Sequence, residues 1–276
     1  MSLIDMVPPF FWIALGLVAM ATSTAILGFY TFASRKSLLS DAMSHSLLPG
    51  ACLGYFFTEN VDSWWVWTGA LLSVWAAVQV FPILLHRLKL RIDVATGWLL
   101  SVFFSIGIIG WNLLQQQGKT GLSHIFFGEA ATIGPVLAFE MSVLCALVAL
   151  VSALFHRTWL VEGFDLSFAQ TIGIPIRWVR GLQSFLVVLV VVGSIRITGL
   201  VLITAWLIFP ALMVGMSPQT TGWKIRMGIL ISASVAMFNL GLSHWIPGFS
   251  IGPWWVLTMG ILLAMQYLVK AIKKHR

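Results

Sequence analysis

An all-α, polytopic membrane protein of about nine transmembrane helices is the fold class this sequence predicts, and three observations predict it. Of its 276 residues 59% are hydrophobic and only 9% charged, with a mean hydropathy of +0.96. A soluble domain carries about 25% charged residues, so this chain cannot coat a surface that faces water. Its apolar runs last about 17 to 25 residues, the length of a membrane-crossing helix; a transmembrane barrel would alternate in strands of about ten. Finally, its basic residues gather in short loops, as they do at the cytoplasmic ends of spans.

Taken in order, the runs place spans near 10–33, 38–57, 64–85, 93–113, 134–155, 178–195, 199–216, 225–243 and 253–270, in one transmembrane domain over 1–276. The first run follows Asp5 and has no basic leader ahead of it, which reads as a retained span rather than a cleaved signal peptide. An odd number of crossings puts the termini on opposite sides. With the C-terminus cytoplasmic and the N-terminus outside, fourteen of the sixteen basic residues fall inside and only Lys119 and Arg196 outside. The outer loops then collect Asp5, Glu59, Asp62, Glu129, His124 and His244, an acid and imidazole bias that would draw cations to the mouth.

The net charge of +7 does not indicate a nucleic-acid partner, because no basic block with interleaved aromatics is present. Two cysteines, Cys52 and Cys145, lie in apolar runs and form no CxxC pair. Gly118-Lys119-Thr120 has the ending of a phosphate-binding loop, but position 113, where the first glycine belongs, is leucine. There is no HExxH and no GxSxG, so the sequence offers neither a hydrolytic site nor an ATPase site of its own.

The stretch "SRKSLLSDAMSHSLLPGACLG" over 34–54 raises a different chemistry. Asp41 and His45 are four apart and share a helical face. If the helix starts near Ser37, a rise of about 1.5 Å per residue puts Asp41 about 6 Å and His45 about 12 Å into the span. A carboxylate at membrane depth costs roughly 2.5–3.5 kcal/mol, so such residues face a bundle interior or a wet path. One reading is structural: Ser37, Ser40 and Ser44 allow close helix packing while the pair bonds within itself or to a neighbour. The other is functional: carboxylate oxygen with imidazole nitrogen suits Mn, Fe or Zn better than Mg or Ca. Cys52, two turns further along that face, is a soft ligand by chemistry, although a buried cysteine ordinarily behaves as a small apolar residue.

The longest cytoplasmic stretch, 156–181, contains a short amphipathic helix. Asp165 caps it, Phe168, Ala169 and Ile172 make its apolar face, and Gly173 with Pro175 ends it. Such a helix is either an interfacial filler or a docking surface.

The stretch "RKSLLSDAMSHSLLPGACLGYFF" closely resembles the signature of metal-type ABC importer permeases, a basic pair followed by S-L-x-x-D-A-x-S-H-x-x-L-P-G. "GFDLSFAQTIGIPIRWVR" resembles that family's coupling segment, similar to the one in vitamin B12-type (type II) importers, and "ITGLVLITAWLIFPAL" matches its span ending in an apolar-Pro-Ala. The likeness implies a permease subunit of the bacterial inner membrane that passes Mn, Zn or Fe(II) along a path between two permease copies or paralogues. It implies cytoplasmic ATP-binding subunits docked on 164–175 through Phe164, Asp165, Phe168, Ala169, Ile172 and Gly173. It also implies an external metal-binding protein and no permanently bound cofactor. In the family the Asp and His of the motif line the path, matching Asp41 and His45; Glu129, His124 and His244 are candidates for the outer mouth. One departure stands out: relatives often carry an acid before a Pro-x-Gly in the last outer loop, where this chain has His244 and no acid. A proton-coupled metal transporter and an intramembrane metalloenzyme are the alternatives to an importer permease.

Overall fold

The computed structural model describes residues 8–34, 37–61, 63–119, 128, 134–200, 202–215, 217–246 and 249–274, and among them it is built of helices without a strand. The helices are α1 (Pro9–Ala33), α2 (Ser37–Ser46), α3 (Leu48–Thr58), α4 (Trp64–His86), α5 (Ile92–Gln116) and α6 (Pro135–Leu154). They continue with α7 (His156–Phe164), α8 (Leu166–Thr171), α9 (Ile176–Thr198), α10 (Ile203–Gly215), α11 (Thr221–Trp245) and α12 (Ile251–Lys274).

Seven of these, α1, α4, α5, α6, α9, α11 and α12, are long and apolar enough to cross a membrane. The other two expected spans take different forms. The run 38–57 is broken at Leu47 into α2 and α3. Pro49 explains the break: it has no N–H to give to the carbonyl of His45, and its ring crowds that carbonyl. The run 199–216 contributes only the 13 residues of α10, about 20 Å of helix against a hydrocarbon core of about 30 Å. Gly199, with φ of +80°, turns the chain out of α9 just before it. A short helix at membrane depth must be buried in protein, and α10 is: Ile203, Trp206, Leu207, Pro210, Ala211 and Val214 are all buried.

Packing is organised around α1, whose Leu17, Met20, Ala21, Leu27 and Tyr30 are buried against α6, α10 and α11. A second group forms where α2 and α3 lie on α4 and α5. The outward surface is apolar, with Leu72, Ile109, Leu150 and Leu268 each more than half exposed. In water such a surface would be an aggregation liability; against lipid tails it is the matching solvent. Inside, hydroxyls at membrane depth bond back to the preceding turn, as Thr24 does to the carbonyl of Met20 at 2.8 Å and Ser142 to that of Ala138 at 2.6 Å.

Candidate functional site

Glycines hold α3, the helix that follows the one carrying Asp41 and His45, in place. A Cβ on Gly50 would lie 1.9 Å from the carbonyl oxygen of Gly69, and one on Gly54 would lie 2.4 Å from that of Trp65, so α3 touches α4 backbone to backbone. On the other side a Cβ on Gly107 would meet Leu48 at 2.5 Å, and Cys52 Sγ donates to the Gly107 carbonyl at 3.5 Å. The helix α3 is thus wedged between α4 and α5. At its head, Ser73 of α4 donates to the carbonyl of Ser46 at 2.6 Å, tying the end of α2 down. Pro49 and Gly50 of the motif therefore act as structure: one breaks the helix, the other lets it approach its neighbour.

On α2 the two side chains meet. Asp41 Oδ1 stands 3.5 Å from His45 Nε2, with the Asp41 side chain about a third exposed and that of His45 15% exposed. The edge of the imidazole meets Phe104 of α5, with ring centres 4.9 Å apart and planes at 81°. His45 Nδ1 is buried and has no hydrogen-bond partner. A charge-assisted hydrogen bond runs about 2.7–2.9 Å, so 3.5 Å is loose for one. Two ligands about 2.0–2.1 Å from a tetrahedral ion stand roughly 3.3–3.4 Å apart, close to the observed separation. Among the described residues, no third His, Cys, Asp or Glu gathers with the pair to complete a coordination shell. Cys52, buried against α5, serves as packing there.

At the cytoplasmic end, Asp165 caps α8, its Oδ1 accepting from the backbone N–H of Phe168 at 2.9 Å. The helix closes on Gly173, φ +78°, with Gly173 N–H donating to Gln170 O and Ile174 N–H to Ala169 O, both at 3.0 Å. This is the Schellman closure that a glycine makes possible. Phe164, Phe168 and Ile172 present exposed apolar side chains, but Ala169 is fully buried. The expectation that Ala169 shares their outward face is corrected: one turn of helix against α7 leaves the smallest residue beneath and the large ones outside.

The segment around α8 is braced by contacts the sequence did not announce. Glu162, buried in α7, accepts from Arg180 Nε of α9 at 2.6 Å. Trp159 Nε1 donates to the carbonyl of Val179 at 3.3 Å. The Tyr30 hydroxyl of α1 bonds His156 Nδ1, and the Tyr30 ring meets Trp159 edge-on at 5.1 Å. Burial and the adjacent Arg157 push the imidazole of His156 below its ordinary pKa, so it is neutral at neutral pH.

Of the outer-mouth candidates, Glu129 and His124 lie outside the described residues. His244 is exposed near the end of α11, its ring edge-on to Trp245 at 6.4 Å. Glu59 is not a free outer acid: Lys119 Nζ sits 2.8 Å from its Oε1 and 4.9 Å from the centre of the Phe56 ring. One of the two basic residues assigned outside is thereby neutralised where it stands.

The model of the ABC 3 transport family matches residues 6–270. The chain is 32% identical over 261 residues to a manganese transport system membrane protein, MntC, of Bacillus subtilis, covering 93% of this chain and 60% of that longer relative. It is 27% identical over 258 residues to the zinc transport system membrane protein TroC of Treponema pallidum, covering 91% of this chain and 86% of that one. Among solved structures, PsaBC from Streptococcus pneumoniae in complex with Fab superposes with a TM-score of 0.80 at 23% identity, over 92% of this chain and 89% of that chain.

Proposed function

The chain belongs to the ABC 3 transport family, and from that premise we propose that it is the transmembrane permease subunit of an ATP-driven importer of a divalent transition metal. The observation that carries the reading is the loose Asp41–His45 pair, an oxygen and a nitrogen 3.5 Å apart on one helix. A permease needs ligands that hold a metal weakly enough to release it. Two protein ligands from one chain, with the remaining positions left to water or to a second permease copy, meet that need better than a closed four-ligand site. Similarity to proteins named for manganese and for zinc transport supports those two metals as cargo.

In this reading the chain crosses the bacterial cytoplasmic membrane nine times, with the broken α2–α3 and the short α10 as the two irregular crossings and the N-terminus outside. Cytoplasmic ATP-binding subunits dock on the exposed Phe164, Phe168 and Ile172, and an external metal-binding protein delivers the ion. The chain hydrolyses no ATP itself.

The test is uptake of Mn²⁺ and of Zn²⁺ into proteoliposomes holding the permease, its ATP-binding subunit and its binding protein. Uptake is expected only with ATP inside and all components present. Uptake that follows a pH gradient and ignores ATP would replace this reading with a proton-coupled transporter.

A further inference from the structure

The ends of α1, α6 and α11 enclose a cleft of about 380 Å³ with the start of α7, lined by Ile26, Tyr30, Ala153, His156, Ile225 and Arg226. Its composition is divided. Ile26, Ala153 and Ile225 make apolar walls, and each belongs to a helix that spans the membrane. At the rim stands Arg226, exposed, its Nε donating to the carbonyl of Gly222 at 3.2 Å. That bond leaves the two terminal amino groups of the guanidinium for another acceptor. Arg157, exposed and next to His156 in the chain, adds a positive charge to the start of α7 without lining the cleft. No carboxylate lines the cleft. The Tyr30 hydroxyl and His156 Nδ1 bond each other, so the phenol makes no further demand on an occupant.

An apolar trough that opens at a helix-end level onto the guanidinium of Arg226, with both terminal amino groups left over, matches one kind of molecule, an amphiphile with an anionic head. We propose that this cleft binds an anionic phospholipid, its phosphate on Arg226 and the upper part of an acyl chain against Ile26, Ala153 and Ile225. The placement in the cytoplasmic leaflet rests on the orientation given under Proposed function. A basic cleft between membrane helices on that side is a lipid headgroup site by ordinary electrostatics. A free phosphate would leave the apolar walls in water. A second permease copy is not needed to cover them either: the Asp41–His45 pair lies on α2, which packs with α4 and α5, whereas the cleft lies among α1, α6 and α11.

The consequence reaches the coupling segment. The same Tyr30–His156 bond that floors the cleft anchors α7, which leads into α8. A bound lipid would therefore stiffen the segment where the ATPase is proposed to dock.

The experiment is native mass spectrometry of the full chain released from nanodiscs of equal phosphatidylglycerol and phosphatidylcholine. The wild type should retain phosphatidylglycerol about fivefold over phosphatidylcholine per guanidinium engaged. Arg226→Gln, at an exposed position, should lower that preference about fivefold, and Ala153→Trp should fill the trough and lose the lipid of either kind. Lys270→Gln, at a lysine that does not line the cleft, should behave as wild type. Equal retention of the two lipids by the wild type would overturn the proposal, as would unchanged phosphatidylglycerol retention by both cleft variants. Displacement of the bound lipid by millimolar inorganic phosphate would overturn it too, by showing a water-soluble anion site. None of these readouts requires transport, so they stand or fall apart from the importer reading.

Discussion

Two acid–base pairs in this chain invite comparison. Glu162 and Arg180 come from different helices, stand 2.6 Å apart and close α7 onto α9, with the glutamate side chain almost entirely buried. Asp41 and His45 come from one helix, stand 3.5 Å apart and leave the carboxylate a third exposed. The first pair has the length of a strong charge-assisted bond and joins two elements, so it is a clasp. The second joins nothing that the α2 backbone does not already hold together, and its imidazole keeps a buried nitrogen without a partner. The difference teaches where to look for cargo: a short pair that joins two helices fixes structure, even though Glu162 Oε2 also lacks a partner, whereas a loose, partly exposed pair within one helix is available to a third party.

The sharpest way to break the comparison is to remove the available pair. Asp41→Ala and His45→Ala should each lower ATP-driven metal uptake by at least about a hundredfold in proteoliposomes, because an orphaned member cannot hold the ion alone. Membrane insertion and ATPase binding should be unchanged. Normal uptake by both assembled variants would make the loose pair mere packing.

Next in size is the docking face. Phe168→Asp and Ile172→Asp place a carboxylate on the outside of α8, where an interface anchor is typically worth about 2 kcal/mol or more; binding of the ATP-binding subunit should weaken about thirtyfold by pull-down or calorimetry. Helix content should not change. Ala169→Asp, by contrast, buries a charge within the segment itself and should loosen 164–175 before any partner is added. If Phe168→Asp bound the ATPase normally, α8 would be a surface filler.

Glu162→Gln tests the clasp. Arg180 is partly exposed and recovers water, so the loss should be about 1–3 kcal/mol, seen as faster amide exchange across 156–180, with smaller effects on uptake than at Asp41. Exchange unchanged from wild type would mean that Trp159 and Tyr30 hold the segment without the ion pair. The smallest effect is expected at Cys52. Its thiol packs on Gly107 and Gly110, and Cys52→Ala should leave uptake within a factor of about three. A loss as large as that at His45 would make Cys52 a ligand and move the site one helix along.

Much of this was legible in the sequence. The spans near 64–85 and 93–113 appear as Trp64–His86 and Ile92–Gln116, since length and apolarity suffice to mark a helix against lipid. The Asp165 cap and the Gly173 stop are local chemistry and read directly. The i, i+4 spacing brought Asp41 to His45 without any knowledge of the fold.

What stayed hidden depends on distant partners. Gly50 is interpretable only beside Gly69, and Gly107 only beside Leu48; nothing in the motif names either. The Glu162–Arg180 and Glu59–Lys119 pairs join segments whose approach is set by packing. That Ala169 lies beneath while Phe168 and Ile172 lie outside is not readable from six residues of helix, too short a periodic signal to say which side is covered. The run 199–216 looked like a full span because a buried helix and a lipid-facing one are equally apolar.

The most direct test of the central claim is anomalous scattering at the manganese edge from crystals of the permease with its ATP-binding subunit, grown with Mn²⁺. A manganese peak is expected within coordination distance of both Asp41 Oδ1 and His45 Nε2, absent in the His45→Ala protein. A membrane-domain peak bound by other residues, unchanged by His45→Ala while the space between Asp41 and His45 holds no metal, would contradict it.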